Sequence, residues 1–427
     1  MRIGIDYTTA VRQGAGIGRY TRELVRALAE LNGGHDYVLF AAAGGLPLAD
    51  TGWPLEFGSL GFRRATGADS PTCWGDSAAS PNKLVLSVAE GLGTPARYSR
   101  ELPKTPNFQM RSVPLSDRAL AVLWHRLQLS LWVELVTGSV DIFHSPDFVL
   151  PPVRRARTML TVHDLSFMRY PECADAHLRA YLNKVVPRSV RRADLVLADS
   201  QHTKDDLAEL LDVDADRIEV IYPGVEERFR PIGDKATLEE VRKRYSLPPR
   251  FVLGLGTLQP RKNFTRLIEA YSLLITHYPF LQLVIVGGKG WLYEEIFAAV
   301  EELGLEEKVI FAGFVADGDL PALYNLADLF VFPSLYEGFG LPPLEAMACC
   351  TPVITSNASS LPEVVGEAGL MVEATDVKAL AEGMKRVLED DVLREGMIAK
   401  GLEQARQFTW QKAAAKLLNL YEAMSSD

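Results

Sequence analysis

With 427 residues the chain is long enough for two or three domains, and its 48% hydrophobic and 23% charged content is that of a globular protein that needs no disulfide staples. A formal net charge of −10 argues against a general nucleic-acid binder, and no apolar run reaches the length of a membrane span. The four cysteines (Cys73, Cys173, Cys349 and Cys350) match no zinc spacing, and Met1-Arg2-Ile3-Gly4-Ile5-Asp6 reads as a strand and not as a signal peptide. The expectation is a cytoplasmic protein without a metal site, with peripheral contact to a membrane surface left open.

The chain opens on a strand, Arg2 to Asp6, then Gly14-Ala15-Gly16-Ile17-Gly18 and an amphipathic helix, Arg19 to Leu31. Strand, glycines and helix open many nucleotide-binding domains. A dinucleotide site would also want an acidic residue after the second strand, and Tyr37 to Phe40 ends in Ala41-Ala42-Ala43, which excludes a dehydrogenase. From about Gly44 to Asn107 the sequence is rich in Gly, Ser, Pro and Thr, with only Lys83 to Val88 strand-like; we expect an acceptor-side excursion.

Asp117 to Val136 predicts a long helix whose Trp124, Leu127, Leu131 and Leu135 face the core. Strands follow at Asp141 to His144, leading to Ser145-Pro146-Asp147, and at Thr158 to Val162, ending in His163-Asp164. Polar residues at the carboxyl ends of buried strands lie where open α/β sheets bind ligands. Asp194 to Asp199 is another strand. Ser200 then either caps the helix Gln201 to Leu211 or enters a cleft. Asp214-Ala215-Asp216 reads as a solvated turn.

Pro and Gly clusters from Pro223 onward mark a domain junction. A second strand-loop-helix series then begins with Phe251 to Gly256, the loop Thr257 to Arg261, and a helix capped by Asn263. Strands follow at Leu281 to Val286 and Val309 to Val315. Leu329-Phe330-Val331-Phe332 is a buried strand that runs into Glu337-Gly338-Phe339-Gly340-Leu341-Pro342-Pro343-Leu344-Glu345. The two prolines suit the first positions of a helix, so backbone N–H groups and a partial positive charge point into the crevice, which favours a phosphate. Carboxylates repel a phosphate; Glu337 and Glu345 read either as acceptors for sugar hydroxyls or as solvated turn residues.

Phe332-Pro333-Ser334, the Glu337/Glu345 pair with Gly-Phe-Gly-Leu-Pro between, Thr351-Pro352-Val353-Ile354, and Gly256-Thr257-Leu258-Gln259-Pro260-Arg261-Lys262-Asn263 together resemble the signature of retaining glycosyltransferases of family 4. The resemblance covers almost all of the C-terminal half and patches of the N-terminal half. It implies the α/β GT-B arrangement, two Rossmann-like domains facing across a cleft. The acceptor-side domain would span 1–225, the donor domain 226–408, and residues 409–427 would form a helix crossing back, with Trp410 packed at the crossover. It assigns Arg261, Lys262 and the backbone of Gly338, Phe339, Gly340 and Leu341 to a donor diphosphate, Glu337 to the donor sugar and Glu345 to the ribose. His163 would lie near the reaction centre, with Asp147, Asp164 and Ser200 toward the cleft or acceptor. Gly14 and Gly16 would approach phosphate or acceptor, and Phe314 and Val315 would border the nucleobase. Many relatives carry an acidic residue where this chain has Gln259.

The reading is a retaining, metal-independent hexosyltransferase acting on a glycan or lipid-linked glycan. No cofactor is expected beyond a nucleotide-sugar co-substrate, with GDP-mannose favoured over UDP- or ADP-glucose. The rivals are a GT-B epimerase or phosphorylase and a non-catalytic sugar-nucleotide scaffold.

Overall fold

The computed structural model describes residues 1–14, 16–31, 33–44 and 105–426. The excursion expected over Gly44 to Asn107 lies almost wholly outside the described residues, as does its strand-like Lys83 to Val88.

Two parallel sheets organise the chain. The first contains β1 (Arg2–Asp6), β2 (Asp36–Ala42), β3 (Phe108–Val113), β4 (Ile142–Ser145), β5 (Arg157–Val162), β6 (Leu195–Ala198) and β7 (Ile218–Val220), in the order β3-β2-β1-β4-β5-β6-β7. The second contains β8 (Phe251–Leu255), β9 (Gln282–Val286), β10 (Val309–Gly313), β11 (Leu329–Phe332), β12 (Val353–Ser356) and β13 (Leu370–Val372), in the order β10-β9-β8-β11-β12-β13. Apolar clusters cover both faces of each sheet, which is why central strands such as β11 read as unbroken apolar runs.

Each strand order reverses at one place, between β1 and β4 in the first sheet and between β8 and β11 in the second. Loops leaving the carboxyl ends of strands part there and leave a crevice, the usual ligand site of such sheets. The helix Trp410–Ser426 packs on the first sheet: Ala413, Ala414, Leu417 and Tyr421 join Ile3, Ile5, Leu24 and Leu28 in one core. Trp410 is buried there, edge-on to Tyr20.

The long helix expected over Asp117 to Val136 does not form. It breaks into a helical turn Asp117–Ala121, a π-turn Val122–Arg126 and a short helix Glu134–Thr137. Gln128 takes a left-handed φ of 52° between them, and Leu127, Leu131 and Leu135 are exposed, not core-facing. The edge strand β3 was not anticipated, nor were the helices Ala176–Arg192 and Asp391–Ala405. Asn263 is left-handed and makes no side-chain cap; its amide instead donates to the carbonyls of Pro333 (2.9 Å) and Ala374 (2.7 Å). Among the described residues no helix is long and apolar enough to cross a membrane.

Candidate functional site

The crevice between β8 and β11 brings together the two loops that the sequence singles out. After β8, the turn Pro260–Lys262 carries Arg261 and Lys262; after β11, the loop carries Glu337. Arg261 Nη1 lies 2.9 Å from Glu337 Oε2, and Lys262 Nζ lies 2.6 Å from Oε1. Arg261 also donates to the Tyr336 carbonyl at 2.6 Å, and the Lys262 ammonium sits 4.8 Å from the centre of the Phe332 ring. Burial would raise the Glu337 carboxyl, but Arg261 and then Lys262 outweigh it and hold it at about 2. The loop itself is fastened. Glu337 N–H donates to Ser359 Oγ (2.8 Å), and Ser360 Oγ donates to the carbonyls of Glu337 (2.9 Å) and Phe339 (2.7 Å).

The helix Leu341–Ala348 begins directly after this loop, with Gly340 at φ 113° and prolines in the first turn. In its first turn only Leu341 and Leu344 carry an N–H, since Pro342 and Pro343 have none. Glu345 lies within the helix, almost fully buried, and its Oε2 accepts from the Tyr324 hydroxyl at 2.9 Å. Phe314 is exposed at the end of β10, whereas Val315 is buried in the core of the domain.

Across the crevice, His163 follows β5, Asp147 follows β4, and Asp199 follows β6. His163 Nδ1 is 2.6 Å from Asp199 Oδ2, its Nε2 faces the Pro146 carbonyl at 3.2 Å, and Tyr20 packs edge-on against the ring. Asp147 Oδ1 accepts from the Phe148 N–H (2.7 Å), and Asp164 Oδ1 from the Ser166 N–H (2.9 Å). Of the two roles open to Ser200, the structure displays the cap: its Oγ accepts from the Thr203 N–H at 3.0 Å, and the residue is fully buried. Gly14 and Gly16 lie in the turn before the helix Ile17–Leu31, where the Gly14 carbonyl accepts from Arg22 (2.6 Å) and Gly16 is left-handed at φ 58°.

The two halves touch. Arg19, from the start of the helix Ile17–Leu31, reaches Glu345 Oε1 at 2.7 Å and also pairs with Glu226. Glu363 accepts from the N–H groups of Gln201 and His202 (both 2.8 Å), so a carboxylate of one domain caps a helix of the other. Thr203 Oγ1 donates to the Gly338 carbonyl at 3.2 Å, and the Tyr336 hydroxyl donates to Asp206. Sequence reading missed Asp199, Arg19 and Glu363. Asp199 carried a signal, since it ends a buried strand just as His163 does; the other two act over sequence separations that no local pattern marks.

The His163–Asp199 pair supports a pH prediction. Burial works against the imidazolium, but the Asp199 carboxylate, with Asp147 and the Pro146 carbonyl, outweighs it and raises His163 from 6.5 to about 9. In Asp199→Asn the ring should titrate below its ordinary value, read from its ring-proton resonances. A folded value above the unfolded one means that the pair's contribution to stability is complete below 6.5 and is lost as pH rises through about 9. The Tm deficit of the variant should therefore be largest below 6.5 and shrink by about 9. A deficit that is flat across that range would contradict a cationic His163.

Among the described residues no group of three or more His, Cys, Asp or Glu side chains is arranged to hold a metal ion. Two family models match, glycosyl transferases group 1 over residues 239–404 and glycosyltransferase family 4 over residues 85–229. The O-antigen chain mannosyltransferase B of Escherichia coli is 37% identical over 287 residues, covering 66% of this chain and 74% of that protein. The serotype-specific mannosyltransferase WbdA of Escherichia coli is 39% identical over 267 residues, covering 60% of this chain but only 32% of that longer protein. The solved sucrose-phosphate synthase of Thermosynechococcus elongatus superposes over 100% of this chain and 99% of its own with a TM-score of 0.70 at 20% identity, which speaks for the fold alone. The chain belongs to the group 1 glycosyl transferases, in glycosyltransferase family 4, and is a glycosyltransferase of the GT-B fold.

Proposed function

We propose that the chain is a retaining hexosyltransferase that moves mannose from GDP-mannose to a glycan or lipid-linked glycan. The observation that carries this reading is the meeting of Arg261, Lys262 and Glu337 beside the start of the helix Leu341–Ala348. Two cations and a helix N-terminus suit a diphosphate, and a carboxylate held ionised between them suits sugar hydroxyls. The names of the relatives favour mannose.

In this reading the donor diphosphate takes Arg261, Lys262 and the N–H groups around Leu341, with Gly338, Phe339 and Gly340 giving backbone access. Glu337 accepts from the transferred sugar and Glu345 from the ribose, while Phe314 and the backbone of Val315 border the base. His163 stands beside the anomeric carbon. Asp147 and Asp164 face the acceptor, and Gly14 and Gly16 close over phosphate or acceptor. The acceptor oxygen bonds to the anomeric carbon on the face that the phosphate leaves. The bond from that carbon to the phosphate oxygen breaks, and the acceptor proton passes to the departing phosphate. Charge grows on that phosphate as the bond breaks, so fixed cations there lower the barrier. With Arg261 and Lys262 supplying this charge, the reading requires no metal ion, and the enzyme works in the cytoplasm. A lipid-linked acceptor would bring it to a membrane surface.

Thermal shift with GDP, UDP and ADP, repeated in Arg261→Ala, tests the donor site. A ligand at about a hundred times its Kd adds roughly 2.7 kcal/mol of stability, enough to resolve. A rise in Tm with GDP that the variant loses is the expected result. A rise with UDP or ADP alone would replace the mannose donor, and a rise that survives in the variant would remove Arg261 from the diphosphate.

A further inference from the structure

Arg19 stands where its own helix gives it no reason to be. It lies in the first turn of the helix Ile17–Leu31, which carries no acidic residue there, and the positive end of a helix dipole disfavours a cation. Its carboxylate partners lie outside that helix. Glu226 follows β7, and Glu345 lies across the cleft in the helix Leu341–Ala348. The guanidinium also sits 4.9 Å from the centre of the Phe229 ring, as does that of Arg228.

The Arg19–Glu345 pair is nearly dry, with 12% and 2% of the two side chains exposed. Glu345 Oε2 accepts from the Tyr324 hydroxyl. Oε1 lies 2.7 Å from Arg19 Nη1, yet among the described residues it accepts no hydrogen bond. Arg19 thus brings charge to Oε1 and leaves its acceptor capacity unused. A buried acceptor without a donor is costly, and a ligand hydroxyl would complete it.

The groups around Glu345 make Arg19 the one that matters most. Burial holds the carboxyl above its ordinary value; Arg19 pulls hardest against it, followed by the Tyr324 hydroxyl, and Arg228 adds less. Glu226 pushes it up, and Cys349, at the end of the same helix, also feels its charge. Glu23, one turn beyond Arg19, is itself pushed up to about 7 by burial and then by Glu226. Asp317 adds its charge to those that favour the Arg19 cation.

We propose that Arg19 is a positioning residue for donor binding, its charge reaching across the cleft to hold Glu345 as a carboxylate whose Oε1 accepts from a ribose hydroxyl of the nucleotide. The proposal rests on the ribose role proposed for Glu345. One domain then carries the ribose acceptor, and the other carries the charge that keeps it an acceptor. A neutral carboxyl would lose the charge-assisted part of that bond. The long arginine side chain lets the pair follow a slight opening of the cleft.

Calorimetric titration of the full chain with GDP, UDP and ADP tests this, each beside its dideoxy counterpart, which lacks both ribose hydroxyls. At neutral pH wild type should favour the nucleotide it binds over the dideoxy form by about ten-fold or more. In Arg19→Gln that preference should nearly vanish at neutral pH, where a buried carboxyl without its cation takes up a proton. It should return toward a pH of about 9, where such a carboxyl ionises unaided. The ratio of two ligands removes whatever titrates alike for both, Glu23 and His163 included. Arg19→Lys keeps the charge and should keep most of the preference. Equal preference in wild type and Arg19→Gln would overturn the proposal and leave Glu345 on the ribose. No preference for the hydroxyls in wild type would overturn both. A lysine variant as indifferent to the hydroxyls as the glutamine variant would also overturn the proposal, since Arg19 would then act by shape and not by charge. So would a preference in Arg19→Gln that fails to return at alkaline pH.

Discussion

Gly338→Ala should leave both domains folded and reduce transfer by about a hundred-fold or more. A Cβ at this position would lie 1.9 Å from the His163 carbonyl oxygen, 2.8 Å from its carbonyl carbon and 2.9 Å from Asp164 Cβ. The first two are backbone atoms at the end of β5 and cannot rotate aside. Gly338 is not among the residues with positive φ, so alanine fits its own backbone, and the clash arises only between domains. The variant can relieve it by holding the cleft open by an ångström or more. A displacement of that size at a reacting centre is worth about two orders of magnitude. The Tm should change little, and the affinity for nucleotide, held mainly by the second domain in the proposed reading, should stay near that of wild type. Wild-type turnover in the variant would mean that the contact of Gly338 with His163 is not part of the working state.

That contact also marks the limit of what the sequence can tell. The strand, glycine loop and helix around Glu337 were legible because apolar runs, glycines and prolines are local signals. Arg261 and Lys262 were legible as residues, but their ion pairs with Glu337 span 76 and 75 positions and follow from β8 and β11 being neighbours. Arg19 reaching Glu345 and Glu363 capping the helix Gln201–Leu211 depend on how two domains meet, and neither leaves a pattern in its own neighbourhood. The segment after Asp117 misled for a different reason. Trp124, Leu127, Leu131 and Leu135 have helical spacing, yet the chain widens to a π-turn at Val122–Arg126 and reverses hand at Gln128, so the leucines face outward. Periodicity reports which face is apolar; it does not report whether anything covers it. Strand β3 went unread because it is an edge strand with half-buried side chains, lacking the continuous apolar run of β11.

Glu337→Gln should separate binding from chemistry. The side chain keeps its size but loses the charge that Arg261 and Lys262 share. Transfer should fall by about 10² to 10³, the worth of roughly 2.7–4 kcal/mol for one charge-assisted contact made in the transition state of a desolvated site. Nucleotide binding should respond in the opposite sense. In the wild-type protein a diphosphate shares both cations with Glu337; in the variant they face it alone, so GDP should bind as tightly as before or more tightly. Without nucleotide the variant keeps two buried cations near one another and no carboxylate between them, so its Tm should drop, and GDP should restore more of that loss than it adds to wild type. The pH dependence should change with it. Glu337 sits at about 2 in the folded protein, below its ordinary 4.5, so its contribution to stability is complete above 4.5 and is lost as pH falls toward 2. The Tm deficit of Glu337→Gln should accordingly narrow on acidification over that range. Weaker GDP binding with an unchanged transfer rate would reverse the assignment, making Glu337 a structural clamp on the two cations and leaving the sugar hydroxyls to another residue.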